Sequence, residues 1–304
     1  MSAPPLALPD PPAGFRRLRL AQSWGWQHLL AGGEGPPLFL VHGLGGSHLD
    51  YLRLLPFLGS HFTCLAPDLP GHGLSSKPDV SYGTDFFCQT LVELAESLGV
   101  DRADWVGHSL GGQVVLWLAA SRPQGVGRVA ALCPGGGHSQ RQPLQRGLLW
   151  LLTSGDRFRF FSPRLLNLGL SHVFGQPYLG PDTWSGMAEV RRFNQAFWAA
   201  QPQPLLERAL IRSARGVLEH SLLGKLGGLT RPVLLVEGQG DRVIPAGQTA
   251  ALWRDLPPGN QRVSLPGGHV PPYQAPEALA EVLLAFLLPG VDTARDEVYT
   301  TSNP

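Results

Sequence analysis

Residues 105–112 read WVGHSLGG. Trp105 and Val106 close a short apolar run, and Val114, Val115, Leu116, Leu118 and Ala119 supply apolar positions for a helix just downstream. A buried strand therefore turns sharply into a helix across Gly107-His108-Ser109-Leu110-Gly111. Small residues on both sides of such a turn let the backbone pass close to its neighbours. A serine held there in a strained conformation pushes its hydroxyl into open space. G-x-S-x-G in a strand–turn–helix setting is the pattern of a nucleophile elbow. The pentapeptide alone is a weak signal, so Ser109 stands or falls with its partners.

Pro37–Val41 (PLFLV) is continuously apolar and runs into His42-Gly43-Leu44-Gly45-Gly46, as a buried parallel strand feeding a glycine-rich loop does. The same reading predicts strands at 62–66, 104–108, 127–132, 233–237 and 262–265. Helices are predicted at 49–58, 84–98, 110–121, 246–256 and 276–287. FRRLRL at 15–20 and the apolar stretch 24–30 suit an antiparallel hairpin at a sheet edge. Strands alternating with helices predict an α/β fold, its central sheet mostly parallel and flanked by helices on both faces. The alternation stops between 135 and 228, where segments such as GLLWLL (147–152), RFRFFSPRLLNLGL (157–170) and MAEVRRFNQAFW (187–198) are rich in Leu, Phe, Trp and Arg. This stretch reads as a helical insertion in a core made of 14–134 and 229–288, with tails at 1–13 and 289–304.

Composition narrows the function classes. The chain has 304 residues, 43% hydrophobic and 15% charged, which suits one large core and excludes wholesale disorder. A net charge of +1 with no Lys/Arg run gives no electrostatic footprint for nucleic acid or an anionic membrane surface. No apolar stretch reaches the length of a membrane span. The proline-broken start MSAPPLALPDPPAG lacks the basic region of a signal peptide. Cys64, Cys88 and Cys133 show no C-x-x-C spacing and read as buried free thiols in a reducing compartment. A cytoplasmic protein is expected.

Serine becomes a nucleophile when a base takes its proton, and a histidine base works best when a carboxylate fixes its tautomer. Of the ten histidines, His269 in LPGGHVPP follows a strand on a glycine-flanked loop, where an imidazole can reach over the sheet. His108 adjoins the serine, but its side chain should point elsewhere. His42 and His72 sit in tight glycine-rich turns and read as local hydrogen-bonding scaffolds. His28, His48, His61, His138, His172 and His220 have no companion motif and read as surface or satisfied polar residues. For the acid, VLLVEGQGDRVIP (233–245) offers Asp241 on the loop after a buried strand. Aspartate is as common at turns and caps for structural reasons, and Glu237 is a rival at the strand end. The end of strand 127–132 offers no acid in Cys133-Pro134-Gly135-Gly136, so position and elimination both favour Asp241. Ser109, Asp241 and His269 then each follow a different strand and can converge at the carboxyl ends of a parallel sheet. The oxyanion formed on attack needs two rigid donors, expected to be the backbone N–H groups of Leu110 and Leu44. No Walker loop, H-E-x-x-H or Cys/His cluster occurs, and Gly43–His48 lacks the third small residue of a dinucleotide fingerprint. Neither a cofactor nor a catalytic metal is expected.

VHGLGG, PDLPGHGLS, GHSLGG, GQGDRVIP and PGGHVPPYQAPEALAEVLLAFL, in that order, resemble the motifs of the α/β-hydrolase superfamily from Phe15 to Leu288. The resemblance implies the triad Ser109–Asp241–His269 and makes 135–228 a cap over the active site. Gln274 departs from the glutamate many relatives carry after the histidine, a change that touches local packing more than mechanism. Serine at the elbow argues against the haloalkane dehalogenase and epoxide hydrolase branches, which use aspartate there. Relatives that cleave C–C bonds carry tryptophan directly after the histidine, where this chain has Val270. The resulting expectation is a serine esterase for uncharged, apolar, short-to-medium acyl groups, its partner a small-molecule ester or related acyl substrate. C–C hydrolysis of ring-fission diketones, lactone hydrolysis and acyl transfer are the enzymatic alternatives, and a ligand receptor or scaffold is the non-enzymatic one.

Overall fold

Every residue of PLFLV is apolar, and a strand sends alternate side chains to opposite faces, so this strand must be covered on both sides. The computed structural model, which describes residues 8–138 and 203–288, provides that cover. Leu38 and Leu40 pack with Leu55, Leu58, Leu279, Leu283 and Phe286 on one face. Phe39 and Val41 pack with Phe87, Leu91, Val115 and Leu118 on the other, and the Phe39 ring stacks on Trp105 with centroids 4.2 Å apart.

Eight strands form the sheet: β1 (Phe15–Gln22), β2 (Gly25–Gly32), β3 (Pro37–Val41), β4 (Thr63–Pro67), β5 (Ala103–His108), β6 (Val126–Leu132), β7 (Val233–Gly238) and β8 (Gln261–Leu265). Their order is β1-β2-β4-β3-β5-β6-β7-β8. The β1–β2 hairpin and the β2–β4 pair are antiparallel, and the remaining neighbours run parallel. The helices among the described residues are α1 (Leu55–Leu58), α2 (Thr84–Ser97), α3 (Leu110–Ser121), α4 (Gln203–Glu219), α5 (Ala246–Asp255), α6 (Pro271–Gln274) and α7 (Pro276–Leu287). None is long and apolar enough to cross a membrane. Because β3 is flanked by β4 on one side and β5 on the other, a crevice opens at the carboxyl ends of β3 and β5, where such sheets place ligands.

The helix expected over 49–58 is instead two pieces, a 3₁₀ turn at His48–Tyr51 and the single turn α1. Pro56 explains the break: it lacks the N–H a continuing helix would need and fits only at the first turn of a new one. The expected insertion 135–228 lies largely outside the described residues, including all three of its Leu/Phe/Trp/Arg-rich segments. Of its length, 135–138, α4 and the turns to Gly228 are described.

The elbow glycines answer to packing. A Cβ on Gly111 would stand 2.1 Å from the Val41 carbonyl oxygen, and one on Gly107 would stand 2.3 Å from the Gly111 carbonyl oxygen. Both obstacles are backbone, so neither can swing away. Gly111→Ala is therefore expected to destabilise the protein by about 3 kcal/mol. Gly247 lies in α5 with nothing within 4 Å of an added Cβ. Gly247→Ala should stabilise by about 0.5–1 kcal/mol through helix propensity. Urea unfolding midpoints that move in opposite directions for the two variants check this.

Candidate active site

Ser109 links β5 to α3 with φ 54° and ψ −110°, a conformation a side chain disfavours. Three backbone hydrogen bonds hold it there. Its N–H donates to Leu132 O at 2.9 Å, and its carbonyl accepts from Gln113 and Gly135, each at 3.0 Å. Residues 105–108 and 110–116 are buried, and Ser109 is the partly exposed position between them. The turn thus presents its hydroxyl in the crevice.

The other two residues singled out in the sequence arrive at the same place. His269 Nε2 lies 3.0 Å from Ser109 Oγ, and His269 Nδ1 lies 2.9 Å from Asp241 Oδ2. An imidazole protonated on Nδ1 donates to the carboxylate and leaves Nε2 to accept the serine proton. Asp241 Oδ1 accepts from Val243 N at 2.8 Å and Ile244 N at 2.9 Å. Burial pushes the Asp241 carboxyl up, but His269 and these two N–H groups outweigh it and hold the group below its ordinary range. Glu237 is occupied elsewhere, in a two-pronged pair with Arg262 at 2.8 and 3.0 Å.

Leu110 opens α3, where an N–H has no carbonyl of the helix to bond. Leu44 lies in the turn closed by Gly46 N donating to Gly43 O at 3.1 Å. That turn runs tight over the elbow, since a Cβ on Gly43 would stand 3.1 Å from Ser109 Cβ and 3.0 Å from His108 Nδ1. His42 secures it: Nδ1 bonds Gly43 O at 2.7 Å while Nε2 accepts from Leu69 N at 2.9 Å. Beneath the loop, Asp68 accepts from His48 N and Leu74 N, both at 2.7 Å, and faces the Nδ1 atoms of His48 at 2.9 Å and His28 at 3.2 Å. Burial opposes the Asp68 charge, yet the two histidines hold it well below the usual carboxylate range. Of the two readings offered for His28 and His48, surface or interior polar residue, the structure shows the interior one, with both rings buried around Asp68.

Two positioning contacts and one neighbour of the site were not foreseen from the sequence. Gln274 Oε1 accepts from both N–H groups flanking the histidine, Gly268 N at 2.9 Å and Val270 N at 3.0 Å. His108 Nε2 lies 2.6 Å from His269 O, tying the elbow to the histidine loop across 161 positions of chain. Cys133 is buried beside Asp241 and His269. The i, i+5 spacing of His269 and Gln274 is the one clue the sequence held.

Burial lowers the pKa of His72 and of His108 to about 3. Below their unfolded value of ~6.5 the unfolded chain binds protons that these folded sites refuse, so stability falls from there down to the folded values. At pH 5 each should cost about 2 kcal/mol, from roughly 1.4 kcal/mol per pH unit. The urea midpoint should drop between pH 7 and pH 5, and an unchanged midpoint contradicts this account.

Comparison with known proteins agrees with the fold. The family model described as alpha/beta hydrolase fold matches residues 36–276. The chain is 30% identical over 263 residues to the magnesium-chelatase 30 kDa subunit of Rhodobacter capsulatus, covering 84% of this chain and 87% of that protein. It is 27% identical over 265 residues to the pimeloyl-[acyl-carrier protein] methyl ester esterase of Vibrio vulnificus, covering 85% and 97%. Among solved structures, a hydrolase from Pseudomonas aeruginosa superposes with a TM-score of 0.70 at 26% identity, over 90% of this chain and 99% of that one.

Proposed function

The chain belongs to the alpha/beta hydrolase family, and from that premise we propose that it is a serine hydrolase of carboxylic esters with Ser109 as nucleophile, His269 as base and Asp241 as the orienting acid. The observation that carries the reading is the unbroken series from Ser109 Oγ through His269 to Asp241 at 3.0 and 2.9 Å. His269 Nε2 takes the hydroxyl proton as Ser109 Oγ attacks the ester carbonyl carbon. The carbonyl oxygen becomes an oxyanion held by the Leu44 and Leu110 N–H groups. Collapse expels the alcohol, which receives the proton from His269 and leaves an acyl-enzyme. Water then repeats the sequence and frees the acid. The methyl ester esterase of Vibrio vulnificus, similar along most of its length, supports ester chemistry. Val270 after the histidine weighs against C–C hydrolysis.

An apolar acyl site above Ser109, expected from the sequence of the 135–228 insertion, is part of this proposal. Each buried CH₂ of an acyl group contributes about 0.8 kcal/mol until such a site is full. On aryl esters of graded acyl length, kcat/KM is expected to rise from acetyl to a short or medium chain and then collapse. A carboxylate-bearing ring-fission diketone run beside them should be the poorer substrate. If it exceeds every ester by about a hundredfold, worth roughly 2.7 kcal/mol of transition-state binding, ester hydrolysis is not the activity. No turnover of any activated ester would favour a receptor or scaffold.

A further inference from the structure

Behind the Ser109–His269–Asp241 series stands a residue its chemistry does not use. Cys133 directly follows β6 with φ 44° and is fully buried. A side chain in this left-handed region is strained by roughly 1–2 kcal/mol, although glycine, common in the adjacent Gly135-Gly136-Gly137, would adopt it freely. The strain aims the thiol at the back of the site. Its thiol donates to Gly268 O at 4.0 Å. Its sulfur, an Asp241 oxygen and a His269 ring nitrogen all lie within 4.8 Å of one another.

We infer that Cys133, Asp241 and His269 form an inhibitory binding site for a thiophilic divalent cation of the zinc class. The donor set is a thiolate, an imidazole and a carboxylate, the combination zinc takes in tetrahedral sites with water as the fourth ligand. Bonds of about 2.0–2.3 Å set neighbouring donors on such an ion about 3.3–3.8 Å apart, so His269 Nδ1 and Asp241 Oδ2, now 2.9 Å apart, must part slightly while the sulfur, within 4.8 Å of the other two donors, can move in. The frame behind them is rigid. Cys133 N donates to Val236 O and Gly240 N to Gly267 O, both at 2.7 Å, locking together the loops after β6, β7 and β8. Asp241 shares its loop with the exposed Gln239, Gly240 and Arg242, its own side chain being 5% exposed. The other buried trio, His28, His48 and Asp68, is a weaker candidate, since each Asp68 oxygen already accepts a backbone N–H and faces an imidazole.

A cation at this site takes His269 Nδ1 and the Asp241 carboxylate away from each other, with protons released to solvent. The imidazole is then no longer oriented or basic enough to serve Ser109. This inhibitory consequence rests on His269 being the base; the cation site itself does not.

The test uses the full chain with cobalt(II) and zinc(II) chlorides. Cobalt should give a near-ultraviolet thiolate-to-metal charge-transfer band in the wild type and in Ser109→Ala, and none in Cys133→Ala or Cys133→Ser. Micromolar zinc should abolish hydrolysis of an aryl ester, and a chelator should restore it. Cys133→Ser should hydrolyse the ester without metal and require about a hundredfold more zinc for the same inhibition. The spectroscopic arm stands even if no ester is turned over, which separates failure of this inference from failure of the esterase reading. No band in the wild type, a band that survives in both Cys133 variants, or equal zinc sensitivity of wild type and Cys133→Ser overturns it.

Discussion

Ser109→Ala is expected to lower kcat/KM on activated aryl esters by about 10³-fold or more while leaving the fold intact. The hydroxyl is the one group lost, and the variant falls back on whatever the proposed Leu44 and Leu110 donors and substrate binding can do for attack by water. The fold should survive because the elbow is held through backbone atoms: Ser109 N to Leu132 O, and Gln113 N and Gly135 N to Ser109 O. Alanine keeps all three bonds and occupies the strained φ of 54° at much the same cost as serine. Ser109→Gly should be equally inactive yet more stable by about 1–2 kcal/mol, since glycine relieves that strain. An organophosphonate should label the wild type once, at Ser109, and neither variant. Labelling at another residue with activity retained would exclude Ser109 as the nucleophile.

Asp241→Asn should cost about 10⁴-fold in kcat at neutral pH, through the imidazole tautomer. Oδ1 of Asp241 accepts two backbone N–H groups, from Val243 and Ile244. An asparagine must leave its carbonyl oxygen there, because an NH₂ cannot accept them. Its NH₂ then faces His269 Nδ1 and forces the histidine proton onto Nε2, where it blocks acceptance of the Ser109 proton. Glu237→Gln should change kcat by less than about threefold, because Glu237 spends its charge on Arg262 at the partly buried sheet edge. Kinetics of the two variants, with imidazole nitrogen shifts to report the tautomer, decide the matter. If Glu237→Gln proves the more damaging, the carboxylate has been misassigned.

The alternation of strand and helix, the parallel sheet and its edge hairpin were legible in the sequence because they follow from local pattern. PLFLV can be buried only on both faces, and glycines at 107 and 111 signal a close approach before the approaching atom is known. The same holds for the convergence of Ser109, Asp241 and His269. In a parallel sheet the loops after strands all open at one end, so chain order alone brings them near each other. Contacts between elements distant in sequence were not legible. Glutamine at 274 carries no mark that its oxygen will bracket His269, and histidine at 48 none that it will lie beside Asp68 in the interior. His108 could be expected to turn away from Ser109, but not to reach His269 O 161 residues on. Cys133 read correctly as a buried thiol, while its left-handed backbone and its place behind Asp241 depend on three loops meeting. Periodicity records which face of an element is apolar; which polar atoms meet across the sheet is decided by register and packing, and these exist only once the chain has folded.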